Sequence, residues 1–84
     1  MSWKELIAGC FGTNDNLLAI HWKDHERTIN LINKALSEGA VFSDIINEIE
    51  AYLVDEGCSI EHIEEQKSMF LRVFLDVLSM KVRV

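Results

Sequence analysis

From residue 61 to residue 83 the polar side chains fall on a single line. Glu61, Glu65, Ser68, Arg72, Asp76, Ser79 and Arg83 are spaced 4, 3, 4, 4, 3 and 4 apart, the pitch of one helix face. After residue 68 only Lys81 breaks an otherwise apolar remainder. A helix with so wide an apolar surface must be covered over most of its circumference. Its expected place is the centre of its own bundle or an interface with another chain.

The rest of the chain offers companions for it. There is no proline and there are four glycines, which favours long helices over turn-rich sheets. Ser2 with Glu5 reads as a capping box opening a first helix that ends at Gly12, with Trp3, Leu6, Ile7 and Cys10 inward. The cluster Thr13-Asn14-Asp15-Asn16 reads as the start of a second helix running to Glu38 and stopped by Gly39. Leu18, Trp22, His25, Ile29, Ile32 and Leu36 form its stripe, with a possible break at 21–28 where apolar residues thin out. Ser43 is the expected N-cap of a third helix ending before Gly57, with Ile46, Ile49 and Leu53 inward and Ile45 and Tyr52 flanking. Ser59 opens the last. The expected fold is therefore all-α, a single helical domain over 1–84 built as a bundle of about four helices, approximately 3–11, 15–38, 44–56 and 60–80. The ending Met80-Lys81-Val82-Arg83-Val84 alternates as a strand would, but a helix end is preferred.

Composition narrows the function. Eighty-four residues, 49% hydrophobic and 26% charged, suit one small globular unit. The richest apolar run, Met69 to Met80, contains Arg72 and Asp76 and is shorter than the about 20 residues a bilayer span takes. Ile7-Ala8-Gly9-Cys10 matches a lipobox. However, Lys4 and Glu5 stand where an apolar leader should run, and nine residues precede the cysteine where a signal peptide takes about 15–30. A soluble, cytoplasmic protein with two reduced thiols is expected.

Residues 21–26 read HWKDHE, with His21 and His25 one helical turn apart. Cys58 and His62 repeat that spacing, and the two pairs together would make one thiolate and three imidazoles, an acceptable zinc set. The spacing alone does not require convergence. His25 falls on the stripe between Trp22 and Ile29, Cys58 follows a turn glycine, and no tight C-x-x-C knuckle is present. The expectation is no metal and no cofactor. Cys58 before a helix N-terminus with His62 one turn on can be written as a nucleophile pair. A short helical chain gives little concave volume for a substrate, and no phosphate loop, nucleophile elbow or H-E-x-x-H motif occurs. The chain reads as a non-enzyme.

The net charge of −6 hides a segregation. Residues 1–34 are balanced, and residues 67–84 hold four bases against Asp76. Residues 35–66 hold Glu38, Asp44, Glu48, Glu50, Asp55, Glu56, Glu61, Glu64 and Glu65 with no lysine or arginine. A helix-turn-helix placed here would offer phosphates a row of carboxylates, so no direct nucleic-acid binding is expected. Two helices packed antiparallel across Gly57 would join the acids into one rim. Such a rim can copy a phosphate backbone and steer association with a basic protein.

The reading is a small acidic protein-binding module, of inhibitor, immunity or anti-defence type, that blocks a basic nucleic-acid-handling partner such as a nuclease. Its expected contacts are Asp44, Glu48, Asp55, Glu56, Glu61, Glu64 and Glu65, with Tyr52 or Trp22 as aromatic anchors. The alternatives are a homodimeric helical adaptor using the apolar face of the last helix, and a zinc or redox module built on His21, His25, Cys58 and His62.

Overall fold

The computed structural model describes residues 2–14, 17–20 and 26–82. In chain order these form two short 3-10 turns, Trp3–Leu6 and Ala8–Cys10, a hairpin of β1 (Phe11–Asn14) and β2 (Leu17–Ile20), and helices α1 (Glu26–Ser37), α2 (Phe42–Asp55) and α3 (Ile60–Val82). The chain is mostly helical, as its periodicity implies. It is not all-α.

Two of the four expected helices are corrected. In place of a helix over 3–11 there are the two 3-10 turns. Ser2 Oγ accepts from the Lys4 N–H at 3.1 Å and Trp3, Ile7 and Cys10 point inward. Arg27 Nη1 donates to the Gly9 carbonyl at 3.2 Å, tying this segment to α1. The expected helix over 15–38 starts only at Glu26. Before it, β1 and β2 pair antiparallel, with Phe11 opposite Ile20 and Gly12 opposite Ala19. Leu-Leu-Ala-Ile is a short apolar run whose periodicity does not separate strand from helix, and the preceding polar cluster suits a hairpin as well as a helix start. Of the proposed stripe, Trp22 and His25 lie outside the described residues. In α1 the fully buried face is Thr28, Leu31, Ile32 and Ala35, with Ile29 and Leu36 beside it.

The later half follows the sequence closely. Helix α1 gives way to Gly39 at φ 89° and α2 to Gly57 at φ 80°, left-handed positions that cost glycine nothing. Ala40 N donates to Ala35 O and Cys58 N to Leu53 O, which satisfies carbonyls at the two helix ends. The cap of α2 is Val41 rather than Ser43. Asp44 supplies the polar contact, accepting from the Val41 N–H at 3.0 Å. Ile45, Ile49 and Leu53 are buried, and Ile46 is only partly so, one position off the expected face. Ser59 caps α3 by accepting from the His62 N–H at 3.2 Å.

The last helix packs on α1, α2 and β2. Ile63, Phe70, Val73, Phe74 and Val77 enter a core shared with Leu31, Ile32, Ile45, Ile49 and Leu53. Phe42 at the start of α2 stacks on Phe70 at 6.1 Å and meets Phe74 edge-on at 4.9 Å. The polar line Glu61, Glu65, Ser68, Arg72, Asp76 and Ser79 is exposed throughout, while Arg83 lies outside the described residues. No helix among the described residues is long and apolar enough to cross a membrane.

Candidate acidic surface around the second helical turn

Helices α2 and α3 are adjacent, joined by residues 56–59. The seven acids expected to form one rim divide into groups with different occupations. Asp44 is spent on the cap of its own helix. Glu48 pairs with Lys4 at 3.4 Å, a lysine that also stands 6.0 Å from the centre of the Trp3 ring. Glu64 and its neighbour Glu50 share Lys67, at 3.4 Å and 3.2 Å. The Lys67 ammonium is accordingly favoured: its hydrogen bond to Glu50 raises its pKa, and Glu64 adds to the rise.

Four acids remain. Asp55 and Glu56 close α2, Glu61 and Glu65 open the outer line of α3, and all are exposed. None forms an ion pair among the described residues. The acidic rim thus contracts to these four, on the last turn of α2 and the first turns of α3.

Tyr52 stands on the side of α2 that carries Glu48 and Asp55 and is half-buried. Its ring tilts against Phe11 at 5.7 Å, so much of the aromatic surface is already used inside the fold. Burial raises its pKa, and the nearby Glu56 and Cys58 raise it further, which keeps the phenol protonated. A groove of about 310 Å³ runs beside it between the N-terminal turns and α2, lined in part by Lys4, Glu48, Tyr52 and Asp55.

His21 and His25 lie outside the described residues. The His62 ring meets the Leu18 carbonyl on β2, and because that group only accepts, Nε2 carries the proton. Cys58 is half-buried beyond the α2 cap. Among the described residues no three His, Cys, Asp or Glu side chains gather as a metal site would require. The other thiol, Cys10, is buried, with Sγ 3.4 Å from Leu6 O and 3.5 Å from Arg27 O. Burial pushes its pKa up to about 11, although Thr28 and Arg27 pull in the other direction.

Gln66 interrupts the apolar face of α3 between Ile63 and Phe70. It lies on the inner face of α3 among apolar neighbours and is buried. Its Oε1 accepts from the Ile20 N–H at 2.9 Å, one helical turn beyond the contact of His62 with Leu18. The two side chains satisfy the outer edge of β2, which would otherwise bury bare backbone.

No family model, curated protein or solved structure matches the chain.

Proposed function

We infer that the protein is a non-catalytic binding module for a basic protein, acting as an inhibitor of the immunity or anti-defence kind. The observation that carries this reading is the set Asp55, Glu56, Glu61 and Glu65, four exposed carboxylates around one turn with no counter-ion among the described residues. Carboxylates that no internal base neutralises present an unscreened negative surface, which a cationic partner complements with fast, salt-dependent association. A nuclease or other nucleic-acid-handling protein presents such a surface, and the carboxylates would occupy it in place of phosphates.

The test is capture of partners from a native extract on immobilised protein, with a salt gradient for elution and mass spectrometry for identification. The expected result is a basic protein released at moderate salt, absent when the bait carries Glu61→Lys and Glu65→Lys, and inhibited in its own activity by the wild-type chain. Capture that is indifferent to salt and to both substitutions would overturn the reading.

A further inference from the structure

The Glu50–Lys67–Glu64 triad marks the outer seam between α2 and α3, because its lysine reaches a carboxylate on each helix. Helical spacing then places four side chains on that same side. Val54 lies one turn beyond Glu50 and Ile60 one turn before Glu64. Leu71 lies one turn beyond Lys67, and Leu75 one turn further. All four are exposed, at 58%, 80%, 41% and 55%. They account for four of the five large exposed aliphatics among the described residues. Ile60 to Leu75 spans about 22 Å at 1.5 Å per residue.

We propose that this side of the seam is the seat of an amphipathic helix from the partner, its apolar face on Val54 and Ile60 at one end and on Leu71 and Leu75 at the other, with the Glu50–Lys67–Glu64 triad between them, and its basic flanks on the surrounding acids. The proposal rests on the functional reading above and specifies the partner's binding element. Charge selects the occupant. Glu50, Asp55, Glu56, Glu61, Glu64 and Glu65 border the stripe or stand at its turn end, while Lys67 is already shared by two of them and Arg72 is the other base nearby. A second copy would bring the same excess of acids to the contact, where like charges oppose association. A helix with lysines or arginines on both sides of a leucine stripe meets the acids with opposite charge and the aliphatics with apolar surface, the helix-in-groove mode of recognition.

The probe is a labelled synthetic peptide of about 18 residues with leucines at helical i, i+4, i+7 and i+11 positions and lysines on both flanks. Its control has the same composition with the leucines scattered. Binding is followed by fluorescence anisotropy, and near-ultraviolet circular dichroism checks that each variant stays folded. The patterned peptide is expected to bind at least about tenfold more tightly than the scattered one. That advantage should vanish in the Leu71→Glu, Leu75→Glu double variant, whose changes are both on the surface. Equal binding of the two peptides, lost in Glu61→Lys, Glu65→Lys, would overturn the stripe and leave the acidic reading standing. Failure of both peptides to bind would overturn the helical occupant. A wild-type dimer in sedimentation that Leu71→Glu, Leu75→Glu dissolves would assign the stripe to a second copy instead.

Discussion

The thiol of Cys10 and the hydroxyl of Thr28 lie where the N-terminal turns meet α1, and both are sealed from solvent. Among the described residues Thr28 Oγ1 has no hydrogen-bond partner within normal distance, and its one polar interaction is a weak one with the Cys10 thiol, which moderates the rise in the thiol pKa. An unpaired buried hydroxyl costs about 1–3 kcal/mol. Thr28→Val, which keeps the branched shape, is therefore expected to stabilise the fold by about 1 kcal/mol, raising the melting temperature by roughly 4–8 °C. Calorimetry of the two proteins decides it, and a lower melting temperature would show that the hydroxyl has a partner in solution. Cys10 gives a pH prediction. Between the ordinary thiol value of 9.0 and about 11 the unfolded chain has lost a proton that the folded chain keeps. Stability is therefore fully present below pH 9 and falls as pH rises through that window. Tyr52, also raised, adds to the fall at its upper end. Urea midpoints measured from pH 8 to 11 should decline, and Cys10→Ala should remove part of the slope. In the native state iodoacetamide should label Cys58 well before Cys10.

At the scale of the element, the hairpin depends on α3. Two strands of four residues are marginal alone. What holds β2 is burial of Ile20 and the two side chains, His62 and Gln66, that accept or donate along its outer edge. Gln66→Leu would keep the volume and leave the Ile20 N–H buried without an acceptor. The expected loss is about 1–3 kcal/mol, with faster hydrogen exchange at Ile20 and along β1 while α2 keeps its protection. If α2 and the hairpin lost protection equally, the hairpin would be no separate unit. The hairpin is also where the sequence misleads most. Thr13-Asn14-Asp15-Asn16 is a turn cluster with apolar residues on both sides, and it serves two strands as readily as a helix start. The buried Gln66 was the available clue: a polar residue among Ile63, Met69 and Phe70 has to find a partner from elsewhere in the chain.

For the whole molecule, the wide apolar surface of α3 is covered unequally. Phe70, Phe74 and Val77 belong to the core, whereas Leu71 and Leu75 on the next face do not. Adjacent positions should therefore respond very differently. Phe70→Asp buries a charge among aromatic rings and should cost at least about 4 kcal/mol, enough to unfold a chain of this size. Leu71→Asp should change stability by no more than about 0.5 kcal/mol. Urea denaturation of the pair measures the contrast, and equal losses would mean that Leu71 is covered in solution. Surface charge is divided in the same unequal way. Asp44, Glu48, Glu50 and Glu64 serve the fold through a cap and ion pairs, which are modest contributions at exposed sites. Among the described residues Asp55, Glu56, Glu61 and Glu65 form no ion pair.

By itself the sequence determined the helical majority, the glycine stops at Gly39 and Gly57, the cap at Ser59 and the exposed line of α3. These are local matters, set by φ/ψ preference, capping chemistry and a period of 3.6 residues. Concentration of acids over residues 35–66 was equally plain, since charge is read directly from composition. Only the tertiary structure decided that Phe11–Ile20 pairs as strands, that Gln66 and His62 close the edge of β2, and which carboxylates meet a lysine. The hairpin is local, but its short apolar run fits strand and helix alike; the edge contacts and the Glu50–Lys67 pair depend on groups 17 to 46 residues apart along the chain coming within hydrogen-bonding distance. No local pattern encodes which distant group will arrive, because that is settled by how the buried faces fit together.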